Sequence, residues 1–165
     1  MDENFYRLIF DWGKPNNWFK YGKKIDLALS TWLKLYRAFN SFNKKSNESI
    51  KTFGLTQPQF AVIEALGHLG KLKVGELCDK LMVTGGSMTL VLDNVTKLGY
   101  VERIFDNQDR RAIYVQLTPK GKILFDKIFK NHAENILKYM SVLNQEEQIL
   151  LGELLKKLGK SINKI

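Results

Sequence analysis

A single cysteine among 165 residues excludes an intramolecular disulfide framework and fits a reducing compartment. The only histidines are His68 and His132, and no Cys/His spacing motif accompanies them, so neither a metal site nor a cofactor is expected. No apolar run approaches the roughly 18 residues of a membrane span, so no membrane partner is expected. The N-terminus sets Asp2, Glu3 and Arg7 before scattered aromatics, unlike the charged-then-apolar order of a secretion signal, and a cytoplasmic protein is expected. Also missing are a phosphate-cradling glycine loop, a paired-histidine metal motif and a nucleophile elbow, so no enzyme is expected.

What is present suffices for one core. The chain is 44% hydrophobic and 12% aromatic, in a length too short for two ordinary domains, so a single domain over 1–165 is expected. Its net charge of +9 supports a polyanionic partner. The charge is unevenly placed, however. Residues 1–54 hold ten Lys/Arg against five Asp/Glu and residues 119–165 hold nine against five, whereas residues 55–118 hold seven of each. Charge alone therefore does not locate a nucleic-acid surface. Met1 to Lys20 is an irregular arm carrying Phe5, Tyr6, Phe10, Trp12, Trp18 and Phe19, and so many aromatics predict docking on the body or on a second subunit.

Periodicity predicts a mostly helical chain with one small hairpin. Lys24 to about Lys44 is a long amphipathic helix with Ile25, Leu29, Trp32, Leu33, Tyr36 and Phe39. Thr56 or Gln57 opens a second, with Phe60, Ile63, Leu66 and Leu69 as its stripe. Lys73 to Met82 is short, with Val74, Leu77, Cys78 and Leu81 in register; turn residues Val83 to Gly86 follow. Ser87 to Leu98 is helical with Met88, Val91, Leu92, Val95 and Leu98 on one face, and Gly99 sits where a helix end wants positive φ. Tyr100 to Phe105 and Ile113 to Leu117 flank a charged turn, which makes a β-hairpin. Thr118-Pro119 then caps a helix to about Met140, and Asn144 to Glu147 is a capping box opening a last helix through Leu158. Helix, turn, helix and hairpin in that order make a winged helix-turn-helix, which offers one helix to the DNA major groove.

The stretch L-C-D-K-L-M-V-T-G-G-S-M-T-L-V-L-D-N-V-T-K-L-G-Y-V-E-R, followed by D-N-Q-D-R-R-A-I-Y-V-Q-L-T-P-K-G, resembles the MarR family of bacterial transcriptional regulators. Thr89 through Arg103 and Asp109 through Gly121 carry the strongest markers, and the resemblance spans about Ile25 to Ile162. It implies a winged helix-turn-helix lobe at 55–118 and dimerisation helices at 1–54 and 119–165, the first of these with the arm. It also implies a homodimeric repressor on a pseudo-palindromic operator in double-stranded DNA, associated with the bacterial nucleoid. The last helix fits: Ile149, Leu150, Leu151, Leu154, Leu155 and Leu158 are apolar nearly all round, so more than one face must be covered.

The reader helix turns Thr84, Gly86, Ser87, Thr89, Leu90 and Asn94 away from its core stripe. Hydroxyls at a helix start cap backbone N–H groups and meet phosphates, Asn94 suits adenine and Leu90 suits a thymine methyl. Many family members carry Arg or Lys at the Leu90 and Asn94 positions, so base readout here is expected to lean on thymine, adenine or groove shape. In the wing the resemblance makes Arg111 the arginine that enters the minor groove, braced by Asp109, with Arg110 on phosphate. Arg103 matches a position that supports the helix or backbone contacts, and Asp93 is expected to be a salt-bridge or capping residue.

Relatives in this family are often released from DNA by phenolic or lipophilic compounds, oxidants or metals. No cysteine precedes Cys78, which lies on an apolar stripe as an inert thiol would. An organic effector is the remaining expectation, with Trp32, Tyr36, Phe39, Phe60 and His68 as candidate lining; the same aromatics also suit a plain core. Two alternatives stand beside this reading. One is a winged module serving only protein interaction, which the neutral 55–118 lobe would suit; the other is a redox-responsive regulator acting through Cys78.

Overall fold

The computed structural model describes residues 21–105 and 112–162. The aromatic arm, Met1 to Lys20, and the wing residues Asp109, Arg110 and Arg111 lie outside the described residues. In chain order the elements are α1 (Lys23–Lys51), α2 (Gln57–Leu69), β1 (Leu72–Lys73), α3 (Val74–Leu81), α4 (Gly85–Lys97), β2 (Val101–Phe105), β3 (Ile113–Leu117), α5 (Pro119–Met140) and α6 (Gln145–Ile162). The chain divides into two compact units, residues 1–45 and 46–165.

The described part of the first unit is mostly α1. Its apolar residues Ile25, Leu29, Trp32, Tyr36 and Phe39 are exposed, while the covered side chains are Asp26 and Ser30. Trp32 and Tyr36 stack one turn apart, with ring centroids 5.7 Å from each other. The helix ends seven residues later than expected, because the polar run through Ser49 stays helical to Lys51.

The second unit holds the core. Phe60, Val62, Ile63 and Leu66 of α2 meet Leu77 of α3, Met88, Leu92 and Val95 of α4, Val101 and Val115 of the sheet, and Phe125 and Ile128 of α5. Each large apolar side chain removed from water contributes about 1.5–3 kcal/mol, so this cluster sets where the surrounding elements lie. Leu69 and Leu98, expected in the buried stripes, are exposed instead, because each sits at a helix end as the chain turns away from the core. The sheet has three strands in the order β1-β3-β2, all antiparallel, with Leu72 opposite Val115 and Arg103 opposite Val115 on the other side. The hairpin expectation therefore lacked one strand.

Local sequence fixes several boundaries. Gln59 Oε1 accepts from the Thr56 N–H at 2.8 Å and Glu76 Oε2 from the Lys73 N–H at 2.9 Å, closing the starts of α2 and α3. At α6 both bonds of the capping box form: Asn144 N–H to Glu147 Oε2 at 2.8 Å and Glu147 N–H to Asn144 Oδ1 at 3.0 Å. Gly99 has φ of 76°, which lets the chain leave α4 for β2. None of the residues of α6 is buried; Ile149, Leu150, Leu154, Leu155 and Leu158 all face solvent in the single chain.

Candidate nucleic-acid interface

Two helices and a tight turn build the candidate surface. Met82 ends α3 in the left-handed region at φ 52°, with Val83 N–H bonded to Cys78 O at 3.1 Å. Thr84 then takes the extended N-cap conformation and its carbonyl accepts from Met88 N–H at 3.0 Å, which starts α4. Met88, Leu92 and Val95 point into the core, so the helix has only one way to lie. The opposite face carries Gly86, Leu90, Asn94 and Lys97, all exposed, with Leu90 at 68%.

The two threonine hydroxyls of this segment already donate within the protein. Thr84 occupies the cap position without bonding a backbone N–H; its Oγ1 donates instead to Ser87 Oγ at 3.2 Å. Thr89 Oγ1 donates back to Gly85 O at 3.0 Å, one turn earlier. The N–H groups at the start of α4 thus keep their positive end of the helix dipole uncapped by a side chain. Charged residues on α4 are limited to Asp93 and Lys97.

Asp93 and Arg103 form a 2.6 Å ion pair that ties α4 to β2. This meets the structural expectation for Asp93, and it turns Arg103 toward its own protein. The pair is partly exposed and worth at most about 1 kcal/mol; its use is orientation. A second link runs from the hairpin to α5. Thr118 N–H donates to Tyr100 O at 3.0 Å, Thr118 Oγ1 to Gly99 O at 2.7 Å, and Gly121 N–H to Thr118 Oγ1 at 3.0 Å. Only glycine fits at position 121, since a Cβ there would overlap Tyr100 O. The L-T-x-x-G motif is therefore a clamp between the base of the wing and α5.

Thr84, Gly86, Ser87, Thr89, Leu90 and Asn94 are thus all exposed along α4, and Arg103 braces the helix. The candidate ligand residues divide between the two units. Trp32, Tyr36 and Phe39 belong to one unit and Phe60 and His68 to the other. Phe60 is a buried core residue packed against His132, at 5.0 Å between ring centroids, and so is unlike a ligand wall. His68 meets the edges of Phe125 and Phe129 at 5.1 and 4.4 Å. Cys78 is half-buried beside the core. Among the described residues no group of three metal-ligating side chains occurs, and no helix is long and apolar enough to cross a membrane. Sequence reading missed Lys71 and Lys73, whose ammonium groups lie 4.9 and 5.6 Å from the Tyr114 ring centroid. The short β1 strand brings them there, and nothing in their local sequence signals it.

A model of the MarR family matches residues 53–112. The transcriptional regulator MhqR of Bacillus subtilis is 36% identical over 132 residues, covering 80% of this chain and 91% of MhqR. Bordetella bronchiseptica BpsR, whose solved structure concerns regulation of DNA binding by 6-hydroxynicotinic acid, is similar with a TM-score of 0.70 at 25% identity, over 78% of this chain and 98% of BpsR. A mutant E. coli MarR complexed with operator DNA is similar with a TM-score of 0.67 at 26% identity, over 78% of this chain and 95% of that one. With the reader helix, its brace and the hairpin in place, the chain belongs to the MarR family: it is a transcriptional regulator rather than an enzyme, and its winged helix-turn-helix is a DNA-binding unit.

Proposed function

We propose that the protein acts as a homodimeric repressor on a pseudo-palindromic operator and that a small phenolic or lipophilic compound releases it. The observation that carries the dimer is α6. A helix with Ile149, Leu150, Leu154, Leu155 and Leu158 all exposed in the single chain is costly unless a second copy covers it. The exposed stripe Ile25, Leu29, Trp32, Tyr36 and Phe39 on α1 recurs every three or four residues, as a helix seam does, and adds to the same argument. Sedimentation equilibrium tests it: the wild type is expected at twice the chain mass, and Leu154→Glu with Leu158→Glu at the chain mass. A wild-type monomer at micromolar concentration would overturn the dimer.

In such a dimer two copies of α4 enter successive major grooves roughly 34–36 Å apart. Thr84, Gly86, Ser87 and Thr89 meet the backbone through the helix start, and Leu90 and Asn94 face bases. Arg111, aimed by Asp109, enters the minor groove, with Arg110 on phosphate. Regulation by an organic compound is supported by BpsR, where 6-hydroxynicotinic acid regulates DNA binding. The exposed, stacked rings of Trp32 and Tyr36, together with Phe39, are the surfaces this chain offers to an aromatic compound. A compound that binds one arrangement of the dimer better than the other shifts the pair of reader helices off the groove spacing. Loss of operator binding on titration with simple phenols, reported by fluorescence anisotropy, tests this step.

A further inference from the structure

Resting on the reading of α4 as the base-reading helix, we infer that recognition by this protein runs mainly through the C5-methyl groups of thymine. Three observations converge. The first is the outward group itself: Leu90 is 68% exposed at the centre of the face opposite Met88, Leu92 and Val95, in the N-terminal half of the helix that reaches base edges. An apolar side chain at that place is what the helix presents to a groove it enters, and a thymine methyl is the apolar group on a major-groove base edge.

The second is what the neighbouring side chains have left to offer. Thr89 donates its hydroxyl proton to Gly85 O and Thr84 donates its own to Ser87, so each threonine keeps a methyl and an accepting oxygen but no proton to give a base acceptor. The turn that enters α4 adds Met82, 86% exposed, and Val83, also exposed. The third is charge. Guanine is most often read by Arg or Lys, and the first three turns of α4 contain neither, Lys97 being its last residue. Asp93, the remaining charge, is committed to Arg103. Before Lys97 at the end of the helix, Asn94 is the polar side chain on the Leu90 face. At 1.5 Å rise per residue it stands about 6 Å further along the helix, roughly two base-pair steps, where it suits an adenine. The half-site is therefore A·T-rich, with a thymine methyl seated on Leu90 between Thr89 and the Gly86 gap.

The test replaces thymine by deoxyuridine, one position at a time, in a duplex selected by the protein from a randomised pool. Base pairing is unchanged and only the methyl is lost. At the position facing Leu90, binding is expected to weaken about fourfold, the equivalent of one buried carbon. In Leu90→Ala, which keeps helix propensity, the thymine and uracil duplexes are expected to bind within twofold of each other; Leu90→Met is expected to keep the discrimination. Equal wild-type affinity for the fully uracil-substituted and thymine duplexes would overturn the inference, as would a penalty unchanged in Leu90→Ala. In either case preference for the selected over a scrambled duplex would leave the regulator reading intact. A protein without that preference would overturn the DNA-reading function together with the inference.

Discussion

Gly121→Ala is the sharpest structural prediction. The new Cβ would overlap Tyr100 O and lie 2.8 Å from the Tyr100 carbonyl carbon, both of them backbone atoms that no side-chain rotation can move. An ordinary carbon–carbon contact is about 3.5 Å, so β2 and α5 would have to part by at least about 0.7 Å. Overpacking of that kind costs about 1–3 kcal/mol. Stretching the Thr118 N–H bond to Tyr100 O, 3.0 Å in the native chain, adds about 1 kcal/mol. The expected loss is thus about 2–4 kcal/mol, a large fraction of a typical domain's stability. Urea unfolding at fixed protomer concentration reads it as a midpoint lowered by roughly 1–2 M for a slope near 2 kcal/mol/M. Gly75→Ala, where an added Cβ meets nothing within 4 Å, serves as the control and is expected to be neutral or slightly stabilising. A Gly121→Ala midpoint equal to that of the wild type would refute the clamp between wing and α5.

Three further outcomes are expected, two from named contacts and one from the family resemblance. Asp93→Ala and Arg103→Ala are each expected to cost no more than about 1 kcal/mol in stability but to weaken operator binding; non-additivity in the double variant is the check, and strict additivity would show that the ion pair does not orient α4. Arg111→Ala is expected to cost about 1–3 kcal/mol of operator affinity, and an unchanged affinity by anisotropy would contradict the wing assignment. Asn144→Ala removes the acceptor for the Glu147 N–H and is expected to lower stability by about 1 kcal/mol in thermal unfolding; no change would mean that α6 starts without its cap.

Much of this architecture is legible in the chain because the signals are local. The capping box at Asn144 and Glu147, the Thr118-Pro119 start of α5 and the positive φ at Gly99 each depend on a few adjacent residues, and each forms as read. What escaped depends on distant partners. Strand β1 is two residues long, too short for any periodicity, and exists because β3 pairs with it. The polar end of α1 suggests a loop; it stays helical where Ser49 Oγ bonds Asn131 Oδ1 at 3.0 Å, Asn135 joins both, and Ile50 enters the core. The exposed face of α4 was legible from residue types and spacing. That Thr84 would donate to Ser87 and Thr89 to Gly85 O was not, because these hydroxyls can equally serve a cap, a phosphate or a neighbour. Asp109, Arg110 and Arg111 stand on the resemblance alone.

The most direct test of the central claim is selection of binding sites from a randomised duplex pool by the purified protein at near-physiological salt. A dimer reading DNA through α4 predicts enrichment of an A·T-rich inverted repeat with half-sites about one helical turn apart. Absence of any enriched repeat, from protein shown to be folded and dimeric, would contradict it.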